Sequence, residues 1–482
     1  MPAPFSLTAP FWLEASAQAG VQADLEPTLL VQGQPLPVVL AVLGVLLLAT
    51  LAIRRFSLHL GAPAILGVLL FGLLLPDQLE LFHQATIANL HTVGLAMLLF
   101  FAGLQTELRS IRGFLEYGVV LAVGGVVVSS AVLGLLMWAG LSSTGSGLEL
   151  GFNQLPLSVA MLIAACLGST DAGATLSVLE QVRDRIPARL RNLLEFESSL
   201  NDPAAILFLG LVLGLAGQAD ASPDRVLLSE ARLFIQNIGS GVLIGVVLGY
   251  LFRFCLNRLA QQREQLLIFA IAFAAIAYGG STILGGSGFI SSYVTGLFLS
   301  NNSYTDPRIN ADSLQEVLAP FNTMMEVLIF LVFGLTAEPE LILPVVPGGL
   351  LVGLVMMLVA RPLSVLLFQP LSPFSLRESL LVAWCGLRGA VPLALAIELV
   401  QTIPRLPGLS PSLAAPLAAN VEGIVFTVVV MNLLVQGLSL PWVCRRLGLG
   451  GDGGAGPDGA GPGGAGPDGA GPGGAMSTSL LP

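Results

Sequence analysis

The sequence predicts an all-α polytopic membrane protein of about thirteen transmembrane helices, and three observations predict it. The 482 residues are 54% hydrophobic and only 10% charged, and the mean hydropathy is +0.85. A bilayer core takes about 20 apolar residues per helix, and stretches of that length recur about thirteen times. The runs are too long, and alternate too little, for the strands of a membrane β-barrel.

The segments fall near 36–53, 58–76, 88–105, 113–140, 155–180, 192–216, 232–253, 265–282, 284–300, 317–337, 344–368, 378–399 and 420–443. The eighth and ninth are separated only by a glycine-rich stretch around Gly279, Gly280, Gly285 and Gly286. Arginine placement orients them, because cytoplasmic loops collect basic residues. With the N-terminus outside, fifteen arginines fall in cytoplasmic loops, among them Arg54, Arg109, Arg189, Arg258 and Arg445; only Arg225, Arg232 and Arg405 fall outside. The implied location is the cell (inner) membrane, with the C-terminus cytoplasmic.

Residues 1–35 hold no arginine and read as an extracytoplasmic segment ahead of a transmembrane domain over 36–446. Residues 447–482 read as a disordered cytoplasmic tail. There Gly454–Gly463 is repeated letter for letter by Gly464–Gly473, and glycine and proline without apolar residues bury too little surface to fold.

Composition also excludes chemistry. All 20 basic residues are arginine, so no lysine relay or Schiff base exists. No basic patch points to nucleic acid. Cys166, Cys255, Cys385 and Cys444 stand singly, and His59, His83 and His91 form no ligand motif, so no cofactor or structural metal is implied.

The functional signal is carboxylates at membrane depth. Asp171, Glu197, Asp202 and Glu326 all lie inside apolar stretches. Each costs roughly 2.5–3.5 kcal/mol on insertion scales, so such groups face a cavity or a partner and mark ion or proton paths. Around Asp171 the chain reads Leu167-Gly168-Ser169-Thr170-Asp171-Ala172-Gly173. Glycine and hydroxyl residues disfavour helix, and non-helical backbone at this depth must face protein or a water-filled cavity. Asp171 then either caps the second half-helix or, with Thr170, offers hard oxygen ligands to a small cation; the two roles are compatible. In the next segment, helical spacing pairs Glu197 with Asn201 and Ser198 with Asp202 on adjacent stripes. Pro203 either opens the turn beneath Asp202 or, with Asp202 as N-cap, starts a helix too short to cross. Arg361 needs a carboxylate partner, for which Glu197 and Glu326 are the candidates; for Glu326 and Arg361 a structural role is favoured over direct ion contact. Finally, Cys385-Gly386-Leu387-Arg388-Gly389-Ala390-Val391-Pro392 reads as a second broken helix. One interrupted helix in each half of the chain is the pattern of an inverted-repeat transporter with its site at the midplane.

Together these motifs resemble the sodium (or potassium)/proton antiporters of the cation:proton antiporter-1 family, the bacterial NhaP group and the eukaryotic Na⁺/H⁺ exchangers. The likeness covers roughly residues 36–446 and rests on Ser169-Thr170-Asp171, Glu197 to Asp202, Glu326 to Phe330, Ala360-Arg361 and Gly386 to Ala390. The resemblance implies the NhaA/NhaP-like antiporter fold, an inverted repeat with two crossed broken helices, a moving core and a dimerisation part, working as a homodimer. It implies Asp202 as the site that alternately binds proton and cation, with Thr170, Asp171 and Ser198 as ligands. It also implies a Glu197–Arg361 pair steadied by Asn201. The wording around Arg388 is closest to a potassium/proton branch, which leaves Na⁺ and K⁺ both open. Electrogenic relatives pair the aspartate with a lysine, an option closed here, so one-for-one, electroneutral exchange serving pH and cation homeostasis is expected.

Two rival classes fit less well. A cation channel also places carboxylates in the membrane, but no filter-like signature is evident. Gly285-Gly286-Ser287-Gly288 matches an intramembrane protease motif, yet no histidine follows it anywhere in the chain.

Overall fold

The computed structural model describes residues 30–31, 34–59, 62–75, 84–143, 155–179, 186–217, 223–260, 262, 264–306, 309–407 and 409–448. Most of the expected N-terminal segment, and the tail beyond residue 448, lie outside the described residues. Two short strands, β1 (Leu30–Val31) and β2 (Gln34–Pro35), pair antiparallel. All other regular structure described is helical.

The helices are α1 (Leu36–His59), α2 (Ala64–Leu73), α3 (Gln84–Gln105), the single turn α4 (Leu108–Ile111) and α5 (Leu115–Ser143), then α6 (Leu157–Cys166) and α7 (Ala172–Leu179), which flank the first interruption. Next come α8 (Ala188–Gly217), α9 (Pro223–Leu259), α10 (Gln265–Ile283), α11 (Gly288–Ser300) and α12 (Ala311–Thr336). The rest is α13 (Pro339–Ile342), α14 (Val346–Val355), α15 (Arg361–Leu367), then α16 (Leu376–Trp384) and α17 (Ala390–Thr402) around the second interruption, and α18 (Pro411–Arg446).

Every segment expected from hydropathy contains helix, and the two expected to break do so. By length and apolar composition, eight stretches among the described residues suffice to cross a membrane. Of the two readings of Pro203, the structure has the spanning helix: α8 runs through it without interruption, so Asp202 sits inside a helix rather than at its start. One expectation changes at an edge. α9 begins at Pro223, which puts Arg225 and Arg232 on its opening turns instead of in a loop. Hydropathy detects only the apolar part of a helix, and the charged turns beyond it go unseen. The glycine-rich stretch between α10 and α11 is a real turn. Gly285 takes φ +78°, a left-handed conformation suited to glycine. Ser287 of the protease-like motif is the N-cap of α11, accepting from the Ile290 N–H at 3.4 Å.

Two apolar clusters organise the bundle. The larger draws Leu69, Leu121, Leu162, Leu193, Val352, Leu395 and Val425 from α2, α5, α6, α8, α14, α17 and α18. The smaller joins Phe100, Phe252, Phe273, Leu299 and Leu314 from α3, α9, α10, α11 and α12, with Phe252 stacked on Phe273 at 4.0 Å. α3 and α12 contribute to both clusters, Leu95 and Phe330 to the larger and Phe100 and Leu318 to the smaller.

Lipid is as apolar as leucine, so helices in a bilayer gain by close approach through small residues. A Cβ on Gly103 of α3 would collide with the Tyr293 carbonyl oxygen of α11, and one on Gly296 with the Phe100 carbonyl oxygen. Gly103→Val should therefore cost about 1–3 kcal/mol by overpacking. Thermal unfolding in detergent should show a clear loss for it and almost none for Gly279→Val, where nothing lies within 4 Å. Equal melting temperatures would show that the two helices do not meet this closely.

Between α14 and α15 the helix widens into one π turn, Met356–Ala360. Pro362 follows it and lacks the N–H that would close the preceding α-helical turn.

Candidate functional site

The two interruptions cross. After α6 the backbone leaves the helix over 167–171, where Gly168, Ser169 and Thr170 supply little helix propensity. After α16 it does so over 385–389. The Asp171 N–H donates to the Leu387 carbonyl at 2.7 Å. Thr175 Oγ1 donates to the Cys385 carbonyl at 3.3 Å, and Arg388 Nη1 donates to the Ser169 carbonyl. Each break thus satisfies backbone groups that the other exposes, as the hydrocarbon interior requires. Asp171 caps α7, its Oδ1 accepting from the Ala174 N–H at 2.8 Å. Gly389 explains its own place in the motif, since a Cβ there would overlap the Asp171 carboxylate.

α8 lies against this crossing and presents two polar faces. One is a closed network. Asn201 Nδ2 donates to Thr170 Oγ1 at 2.6 Å and to Glu197 Oε1 at 3.2 Å, while Asn201 Oδ1 accepts from the Thr170 N–H at 3.1 Å. The Thr170 and Ser198 hydroxyls bond each other at 2.9 Å. Arg361 closes the network with a bidentate pair, Nη1 and Nη2 each donating to a Glu197 carboxylate oxygen at 2.9 Å. Arg361 and Glu197 are only 2% and 1% exposed, so each charge has the other in place of water. Gly386 leaves room for Arg361, since a Cβ there would stand 3.1 Å from its Nε.

The other face opens on a cavity of about 270 Å³. Asp202, Ser199, Ser169, Asp171 and Glu326 all line it. Ser169 Oγ donates to Asp202 Oδ1, tying the carboxylate to the first break. Three carboxylates from three elements therefore meet one space, and among the described residues no arginine side chain lines it. A smaller cavity of about 120 Å³, lined by Glu107, Asn192 and Glu195, shares Gln105 with it on the side of Arg109.

Of the two candidate partners of Arg361, the structure pairs it with Glu197 and not with Glu326. Glu326 faces the cavity, with Oε1 2.6 Å from where a Gly173 Cβ would stand. The reason is packing: α12 lies on α2 and α3, whereas α15 lies on α5 and α16, so α12 does not reach Arg361. Thr170 and Ser198, marked as ligands, sit in the closed network, and the hydroxyls on the cavity belong to Ser169 and Ser199. Arg388 holds the Ser169 carbonyl rather than a carboxylate. Sequence reasoning passed over Ser199, Gln105 and Asn322 on the cavity wall. Asn322 alone carried a usable signal, a polar residue one turn before Glu326 in an apolar span.

Known proteins resemble this chain in sequence and in fold. The family described as "Sodium/hydrogen exchanger, transmembrane" matches residues 39–446. The K(+)/H(+) antiporter NhaP2 of Shewanella sp. (strain MR-4) is 32% identical over 416 residues, covering 84% of this chain and 66% of its own length. The chain thus matches slightly under two thirds of that relative. The Na(+)/H(+) antiporter NhaS2 of Synechocystis sp. is 27% identical over 436 residues, covering 88% of this chain and 73% of its own. Among solved structures, the sodium proton antiporter MjNhaP1 from Methanocaldococcus jannaschii at pH 8 superposes with a TM-score of 0.69 at 21% identity, covering 86% of this chain and 99% of that one. The last likeness concerns the fold.

Proposed function

This chain belongs to the sodium/hydrogen exchanger family, and from that premise we propose that it is a secondary antiporter exchanging a monovalent cation, Na⁺ or K⁺, for H⁺. The observation that carries the reading is the meeting of Asp171, Asp202 and Glu326 in one cavity at the crossing of two broken helices. Asp202 is the shared site. It stands on α8 against the first break, and among the described residues its hydrogen-bond partner is the Ser169 hydroxyl of that break, which can serve it charged or protonated. A proton and a cation cannot both neutralise it, so binding one releases the other. Asp171, fixed as a helix cap, serves as a ligand. Glu197, Arg361 and Asn201 hold the network that positions Thr170 and Ser198 behind the site. The side of Arg109, where the smaller cavity lies, is the cytoplasmic one. The protein works as a homodimer in the cell membrane, N-terminus outside and C-terminus inside.

The relatives named for K(+)/H(+) and Na(+)/H(+) antiport keep both ions in play. The test is ΔpH-driven flux in proteoliposomes with Li⁺, Na⁺, K⁺ and Rb⁺ in turn; ion movement that needs no opposing proton gradient would replace the reading with a channel. Exchange should be electroneutral, because one carboxylate carries one proton or one cation. The roughly 2.3 kcal/mol per charge available at 100 mV would then leave transport unchanged. Clamping the membrane potential with an ionophore that does not carry the tested cation checks this. A rate or reversal point that follows the imposed potential would make Asp171 a second proton carrier.

A further inference from the structure

α12 is apolar over most of its membrane-facing length, yet it brings Asn322 and Glu326 to the cavity, one helical turn apart, with Phe330 one turn further on. An amide at this depth is expensive unless it meets a partner. The Asn322 carbonyl oxygen, Oδ1, is buried and has no hydrogen-bond partner among the described residues. Buried acceptors left in that condition are uncommon and call for an explanation.

The neighbouring groups offer this oxygen no donor. Ser169 Oγ donates to Asp202, and Ser199 Oγ donates to the Glu195 carbonyl at 2.7 Å. Gln105 is exposed at the edge of the space. Arg361 and Arg388 are held by Glu197 and by the Ser169 carbonyl, and Arg54 acts on Glu326 through its charge. What remains is carboxyl groups. Glu326 Oε1 and Asp171 Oδ1 lie 2.6 Å and 3.4 Å from the same point, the position of a Gly173 Cβ, which brings α12 and α7 together there. A carbonyl dipole left without a donor in the same cavity as converging carboxylates is unfavourable until a cation enters that cavity.

We propose that Asn322 is a ligand of the transported cation and sets which alkali ion the cavity prefers. The proposal rests on the reading of this cavity as a cation site. A neutral carbonyl oxygen coordinates with a weaker field than a carboxylate, and field strength together with the number of ligands decides between larger and smaller alkali ions. With the amide present the site tilts toward the larger, less tightly hydrated ions; with carboxylates alone it tilts toward Na⁺ and Li⁺.

The test is equilibrium binding of radioactive sodium and rubidium to the full-length detergent-solubilised protein. Asn322→Leu keeps the size and removes the oxygen; it should weaken rubidium binding by about tenfold or more, the order expected for a lost dipole on a charge. Sodium should weaken less, so the rubidium-to-sodium affinity ratio falls. Asn322→Asp keeps an oxygen and strengthens its field; it should retain binding and shift the ratio toward sodium, which keeps the test alive if the leucine variant fails to fold. An unchanged ratio in both variants, or an equal loss for both ions together with a lowered melting temperature, overturns the role of Asn322. A wild-type protein that binds neither ion overturns the reading of the cavity itself.

Discussion

Asp202→Asn should abolish cation/proton exchange while leaving the protein folded. The substitution preserves shape and keeps an oxygen in place to accept from Ser169 Oγ, so the tie to the first broken helix survives. What it removes is the exchangeable proton and the charge that a cation would neutralise. The side chain faces the cavity and takes no part in the Glu197–Arg361 network, so little structural loss is expected. Ion-dependent collapse of a proton gradient in proteoliposomes, beside the melting temperature in detergent, is the measurement. Residual exchange at more than a trace level would move the carrier role to Asp171 or Glu326, the other carboxylates on the same space.

Glu197→Ala and Arg361→Ala should each lower stability by about 3–5 kcal/mol, because each strands a buried charge. The pair is bidentate and almost wholly out of solvent, and the Glu197 carboxylate also accepts from Asn201. Loss of either member therefore reaches Thr170 and Ser198, which the same network holds beside the first broken helix. The double variant should be less damaging than the sum of the two, since neither charge is then left alone. Detergent melting of all four proteins closes the cycle. Strict additivity would contradict the direct contact.

The contrast between Glu197 and Glu326 shows where the sequence stops being readable. Helix positions were legible because hydropathy marks them, and both breaks were legible because glycine, serine and aspartate disfavour helix wherever they stand. The Glu197–Asn201 bond followed from spacing within one helix. Choosing the partner of Arg361 required knowing how one helix is rotated toward another. In a soluble protein the apolar stripe records that rotation. Here both faces of a helix are apolar, one against protein and one against lipid, and the stripe disappears. The same blindness exchanged Ser169 for Thr170 in the first break, and Ser199 for Ser198 on α8, where neighbours differ in direction by about 100°.

The π turn at Met356–Ala360 shows how the molecule handles that rotation. The buried residues along this span come in adjacent pairs every fourth position: Val352 with Gly353, Met356 with Met357, Ala360 with Arg361, Ser364 with Val365. A regular helix advances about 100° per residue, so a repeat of four slips about 40° each time and carries the stripe off its target. One widened turn, with more residues per revolution, takes back part of the slip. Arg361, the next residue, stays pointed at Glu197 while Leu358, Val359 and Leu363 remain exposed, as lipid-facing side chains are. The turn acts as a vernier, correcting the phase of one arginine over a distance where hydropathy records only that the helix is oily.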